Sequence, residues 1–233
     1  TMLKDVIGHK TNIDLLKNSL CSGRVANGYL FAGPPNVGKE FVAINFAKAL
    51  NCLDPKEDYD ACDSCISCKK VDSGNHPDVR KVSPDGSWIK VDQIRELQKQ
   101  LSYKPMEGKQ KVYIILNVEL MTRETANAFL KTLEEPPQKS TLILITTNIN
   151  ALLPTIRSRC QTLKFSNVPR ILLRKELIER FIISESEARS IIMLSGGKVG
   201  KAFELAQERN FSTELEIPKI LRNPDKIETF QIA

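Results

Sequence analysis

Apolar residues recur along this chain in two registers, and the change of register marks out its elements. In residues 10–21 ("KTNIDLLKNSLC"), Ile13, Leu16 and Leu20 share the spacing of one helix face, which predicts an amphipathic helix near the start. The run "GYLFAG" is short and continuously apolar, and predicts a buried strand leading into a Gly-Pro loop, with "KEFVAINFAKALNC" as the helix beyond it. Further on, "VDQIRELQKQLS" places Ile94, Leu97 and Leu101 on one helical face. "KVYIILN" is a β-branched run suited to a central parallel strand. "TRETANAFLKTLEEPP" predicts a helix capped by Thr122, with Ala126, Phe129, Leu130 and Leu133 inward and Pro136 and Pro137 stopping it. "TLILITTN" is the next buried strand. Strands alternating with helices in this way predict an α/β fold with a parallel sheet covered on both faces.

From about Pro169 the strand-like runs stop. "RILLRKELIERF", "SEARSIIMLS" and "GKAFELAQERN" follow as three helix candidates, with "SGGKVG" as the turn before the last. The expected organisation is therefore an α/β domain over residues 1–168 and a small helical domain over 169–210. No internal repeat or low-complexity tract interrupts it.

Composition narrows the class without deciding it. A length of 233 residues with 41% apolar content suffices to bury a core, so disorder is not expected. No apolar run approaches the roughly 18 residues of a membrane span, and "TMLKDVIGHK" lacks the apolar core of a secretory signal. A cytoplasmic chain with no membrane partner is the expectation. The balance of 34 basic and 28 acidic residues, net +6, permits an anionic partner without demanding one.

Four of the six cysteines lie between residues 52 and 68, which in a cytosolic chain points to metal before disulfide. Cys52 stands before "CDSCISC", which supplies Cys62, Cys65 and Cys68. Four thiolates complete a closed tetrahedral shell of the structural-zinc type, and His76 in "GNHPD" is a neighbour rather than an expected ligand. Asp54, Glu57, Asp58, Asp60 and Asp63 make the segment acidic, which argues against an independent DNA-binding module. A protein contact or a stabilising device fits it better.

The most informative stretch is "FAGPPNVGKE". Gly33, Gly38 and Lys39 fill G-x-x-x-x-G-K between a predicted strand and helix, the setting of a loop that cradles phosphates with backbone N–H groups and a lysine. The next position, where a hydroxyl would meet Mg²⁺, is Glu40. The acidic pair expected at the end of a neighbouring strand is replaced by Leu116 and Asn117, with Glu119 slightly beyond as the alternative acid. Hydrolysis depends on that metal and on cations arranged around it, so fast turnover is not expected. Glu40 should also repel phosphates, and ATP binding is expected to be weak or absent. After the "LITTN" strand, "TIRSRCQ" supplies Arg157, Arg159 and Cys160; alone, two arginines there would be surface charges.

"NAFLKTLEEPP", the "SRC" triplet, "GPPNVGKE" and the four-cysteine insertion together resemble the AAA+ clamp-loader subunits of bacterial DNA polymerase III, over residues 3 to about 209. The resemblance implies a RecA-like AAA+ P-loop domain with a zinc module at about 52–78, a helical lid, and a further helical collar of which residues 211–233 would be the truncated beginning. Within that family the altered phosphate loop fits the delta-prime branch rather than the ATP-hydrolysing gamma/tau motors. Cys52, Cys62, Cys65 and Cys68 would then ligate zinc. Arg159 would act in trans on ATP bound by a neighbouring gamma/tau subunit. Thr146 or Thr147 falls in the sensor 1 region. Gly200 falls where a motor carries its sensor 2 arginine, with Lys201 next to it. The implied role is an accessory subunit of the polymerase, without intrinsic ATPase, that supports a pentamer loading the sliding clamp onto primer-template DNA. Its implied partners are gamma/tau, delta, the clamp and DNA.

Overall fold

The computed structural model describes residues 1–211, so the expected collar segment beyond Phe211 lies outside the described residues. In chain order the elements are α1 (Lys10–Cys21), β1 (Gly28–Ala32), α2 (Lys39–Asn51), α3 (Ile66–Asp72), β2 (Val79–Val82), α4 (Val91–Leu101) and β3 (Lys111–Ile115). They continue with α5 (Arg123–Glu134), β4 (Ser140–Thr146), α6 (Pro154–Arg157), β5 (Gln161–Lys164), α7 (Arg170–Phe181), α8 (Glu185–Ser195) and α9 (Val199–Phe211). The strands form one parallel sheet in the order β2-β3-β4-β1-β5. In register, Leu30 of β1 lies opposite Leu144 of β4 and Thr162 of β5.

The central strands are buried at every position because each face meets a different layer. Tyr29, Phe31, Val112, Ile114, Ile143 and Ile145 pack against α1 and α2 through Leu16 and Phe46. The alternate residues Leu30, Tyr113, Ile115, Leu142 and Leu144 pack against α4 and α5 through Ile94, Leu97 and Phe129. Period-two side chains on two covered faces read as a continuous apolar run. Phe129 is fully buried, and truncating it to Ala would cost about 3–5 kcal/mol. The edge strands β2 and β5 carry exposed polar residues, so no apolar run announced them.

Local signals set the helix ends. The Thr122 hydroxyl accepts a hydrogen bond from Thr125 N at 3.1 Å at the start of α5. A reciprocal pair opens α8: Ser184 N donates to Glu187 Oε2 at 2.8 Å, and Glu187 N to Ser184 Oγ at 3.4 Å.

Helices α7, α8 and α9 surround a separate apolar cluster that includes Leu173, Leu177, Ile192 and Ala206, with Ile7 from the N-terminal segment and Val168. Two contacts seat this helical unit on the sheet domain. Arg180 Nη2 donates to Asp5 O at 2.8 Å, and Gly200 N at the start of α9 donates to Asn36 O of the phosphate loop at 3.1 Å.

Candidate functional site

In a parallel sheet every strand points the same way, so the molecule has two chemically distinct ends. The C-terminal end carries the loop of residues 33–38, held between β1 and the first turn of α2. Gly33 N donates to Thr146 O at 3.2 Å, joining the loop to the end of β4. No side chain fits at Gly33, since a Cβ there would lie 2.1 Å from the Phe165 carbonyl oxygen. Gly38 caps α2 with φ 98°, a left-handed conformation that glycine adopts at little cost.

Lys39 is buried, and its Nζ donates to Gly33 O at 2.6 Å and Pro34 O at 2.5 Å. Burial holds this ammonium below the usual lysine range, while the nearby Glu119 carboxylate pulls the other way. Two of its three donors are engaged with the loop itself, so a phosphate would have to compete for them. His9 Nε2 meets Val37 O at 3.0 Å, and its ring packs on Phe165 with centroids 4.8 Å apart.

On the metal side of the loop, the Glu40 carboxylate pairs with Lys81 Nζ at 3.0 Å. This pairing tempers the repulsion expected from the sequence. Leu116 is half-buried against the apolar layer and Asn117 adopts φ 51°, so neither residue supplies a carboxylate at the end of β3. Thr146 is buried at the end of β4, and its Oγ1 accepts from Asn148 N at 3.1 Å.

Arg159 lies at the opposite end. It immediately precedes Cys160 and β5, and Arg159 O lies 3.3 Å from where a Cβ would sit on Gly28, the first residue of β1. Cys160 Sγ lies 3.2 Å from that point, and burial pushes its thiol up to about 12. Gly28 and Gly33 stand at opposite ends of β1, five residues apart at about 3.3 Å each, or roughly 16 Å. The guanidinium pairs with Glu134 Oε1 at 2.9 Å and donates to Thr155 O at 3.0 Å. Arg157 on α6 is exposed and has no part in this arrangement.

The four clustered cysteines converge. The Sγ atoms of Cys52, Cys62, Cys65 and Cys68 all lie within 4.8 Å of one another, with Cys52 to Cys68 at 3.7 Å and Cys52 to Cys65 and Cys62 to Cys68 at 4.0 Å. A tetrahedron of 2.3 Å metal–sulfur bonds has edges of about 3.8 Å, so the donor set fits a metal ion. Backbone N–H groups of Cys62, Cys65 and Cys68 point at the sulfurs of Cys52, Cys62 and Cys65 at 3.3, 3.3 and 3.5 Å. Hydrogen bonding from Ser64, from its backbone above all, brings the Cys62 thiol down to about 6, whereas burial pushes the Cys52 and Cys68 thiols up. His76 is no ligand: its Nε2 meets Ser67 Oγ at 3.2 Å and its Nδ1 accepts from Asp78 N at 3.1 Å.

Three acids of this segment, Asp58, Asp60 and Asp63, are used internally. Asp60 is buried and accepts from Leu3 N at 3.0 Å and Lys4 N at 2.9 Å. Lys48 of α2 is buried between Asp63 and Asp72.

The model of the family described as DNA polymerase III, delta subunit, matches residues 8–169. The chain is 39% identical over 198 residues to the Bacillus subtilis DNA polymerase III subunit delta', covering 85% of this chain and 59% of that protein. The chain belongs to the delta'/gamma/tau family of DNA polymerase III subunits. Within that family it is also 38% identical to the Escherichia coli subunit tau, over 67% of this chain and 24% of tau. It thus spans well under two thirds of these relatives' lengths. A solved gamma subunit-related protein from Thermotoga maritima superposes with a TM-score of 0.55 at 27% identity, covering 89% of this chain and 65% of that one. The Thermotoga maritima RuvB branch-migration motor matches with a TM-score of 0.62 at 18% identity, over 90% of this chain and 64% of RuvB, and shows the shared AAA+ fold alone.

Against this family fold, the structure gives Glu119, already the alternative acid, a partner that the pattern did not reveal, and adds Glu134. Glu119 Oε1 accepts from Thr147 Oγ1 at 2.6 Å and Thr147 N at 3.0 Å, while its Oε2 is buried without a partner. Burial pushes this carboxyl up, but the hydrogen bonds from Thr147 outweigh it and hold it below the usual glutamate range. Glu134 enters through Arg159. Gly200 touches the phosphate loop at Asn36, and Lys201 is exposed beside it. Among the described residues no helix is long and apolar enough to cross a membrane.

Proposed function

We propose that this chain is a non-hydrolysing, delta-prime-like subunit of the DNA polymerase III clamp loader. It works by presenting Arg159 to ATP held by a neighbouring gamma/tau subunit. The observation that carries this is the placing of Arg159 at the N-terminal edge of the sheet, with the phosphate loop at the other edge roughly 16 Å away. Such an arginine is out of reach of its own loop. A head-to-tail ring of similar subunits brings one subunit's N-terminal edge to the next one's loop. The cation then stabilises charge on the transferring phosphoryl group in the neighbour's site.

At its own loop the chain lacks both protein groups that would seat magnesium, and its lysine is occupied by loop carbonyls. Nucleotide binding there is accordingly weak or absent. The proposed domains are the AAA+ domain at 1–168, with its zinc module at about 52–78, and the lid at 169–210. Structural zinc on Cys52, Cys62, Cys65 and Cys68 pins the acidic excursion, which in turn holds α2 and the N-terminal segment. Partners follow from the role: gamma/tau, delta, the sliding clamp and primer-template DNA, in the cytoplasm.

One observation favours a second reading, an ATP-hydrolysing gamma/tau-like motor: the ionised Glu119 with its unpartnered oxygen could replace the lost acid. ATP hydrolysis by the isolated chain separates the two, and reconstituting the clamp loader with Arg159→Ala tests the trans role. Reduced ATP turnover by the complex supports the trans role, and unchanged turnover removes it.

A further inference from the structure

The Arg159 side chain is only one-third exposed, and its contacts do more than park it. Its Nη2 pairs with Glu134 Oε1 at 2.9 Å, and its Nη1 donates to Thr155 O at 3.0 Å and lies 3.4 Å from Ser158 Oγ. Of the five N–H donors of a guanidinium the hydrogen bonds use the two on Nη1, and the contact with Glu134 is an ion pair, leaving Nε and Nη2 for another anion. One nitrogen of the fork is thus held by hydrogen bonds and another by charge, without the donors being used up. Both ends of the pair touch solvent, at 35% and 48% exposure, and pairs of that kind contribute little to folding.

Glu134 is also badly placed for helix stability. It is the last residue of α5, where a carboxylate faces the negative end of the helix dipole. A charge set against the dipole and joined in a weak pair needs a reason other than stability. Glu134, Arg159 and Gly28 border one open recess at the N-terminal edge of the sheet.

We propose that Glu134 is a positioning residue for Arg159, orienting the guanidinium so that its free donors face the phosphates brought by the adjoining subunit. This rests on the trans role of Arg159 proposed above. The pair is broken by Glu134→Gln, which keeps the size and removes the charge, and is shortened by Glu134→Asp.

The test is ATP turnover against ATP concentration in clamp loader reconstituted with full-length variants of this chain. Glu134→Gln is expected to lower kcat roughly 3- to 10-fold with KM unchanged, since a misaimed group acts on the transition state alone. Glu134→Asp recovers part of the loss, and assembly and melting temperature match the unsubstituted chain. The double variant Glu134→Gln with Arg159→Ala should be no slower than Arg159→Ala by itself, because Glu134 acts only through the arginine. If Arg159→Ala lowers turnover while Glu134→Gln leaves it unchanged, the positioning role is overturned and the trans role stands. Additive losses in the double variant, or a Glu134→Gln chain that fails to assemble, overturn it as well. If Arg159→Ala itself has no effect, it is the trans role that falls.

Discussion

The two ends of the sheet are built from the same strands yet have opposite fates. At the C-terminal end the cradle survives in outline, with Gly33, Gly38 and Lys39 in place, but the lysine is bonded to its own loop, and Glu40 is tied to Lys81. At the N-terminal end Arg159 pairs with Glu134 and donates to Thr155 O. On the proposed reading, an ATPase fold keeps its shape while its chemistry moves to another subunit's site. Packing at Gly33 requires glycine whether or not the loop holds a nucleotide.

The largest effect that would break the comparison is at Arg159. In the assembled complex, Arg159→Ala should slow hydrolysis at the one site it reaches on the order of 10³-fold, about 4 kcal/mol. The melting temperature of the chain should hardly change, because the lost pair is half-exposed. Single-turnover measurements, which resolve one slow site among faster ones, check this.

Next comes a scaffold effect at the other end. Gly33→Ala forces a methyl to within 2.1 Å of the Phe165 carbonyl oxygen, so thermal or urea unfolding should show a loss of about 3 kcal/mol even with no nucleotide present. A wild-type melting curve would mean that the loop is retained for nucleotide rather than for packing.

A pH effect should separate the ends further. Burial holds His9 below its usual 6.5, with Lys39 adding to this and the Val37 carbonyl opposing it. Its folded form is neutral, so its contribution to stability is fully present above pH 6.5 and is lost as pH falls below that value. Hydrogen exchange in residues 33–39, corrected for intrinsic rates and with zinc in excess, should quicken below pH 6.5 while residues 155–161 change little. His9→Gln should flatten the response.

The smallest effect is expected from Glu40→Thr. Because Lys81 already neutralises Glu40 at a half-exposed site, restoring the hydroxyl alone should raise affinity for Mg-ATP by under about 1 kcal/mol in calorimetry. A gain much larger than tenfold would show that Glu40 alone disables the loop.

Much of this fold was legible in the sequence, for a definite reason. β1, β3 and β4 are buried on both faces, so their apolar runs leave little choice of element. The cysteine spacing is equally direct, since a metal shell needs its donors close in sequence or in space and here they are both. β2 and β5 escaped because "VRKV" and "QTLK" lie at the sheet edges, where half their side chains meet solvent. The pairs Glu119 with Thr147 and Glu134 with Arg159 join residues more than twenty positions apart, through strand order rather than local pattern. The sequence also suggested that Glu40 would simply repel phosphate, and Lys81 became its partner only once β2 was in place.

On the proposed reading this chain lends chemistry to a neighbour and performs none at its own loop. The decisive measurement is steady-state ATP hydrolysis by the isolated chain with saturating magnesium. Release of phosphate no faster than a buffer control is expected. Sustained turnover by the lone chain that disappears on Glu119→Gln and survives Arg159→Ala would contradict it.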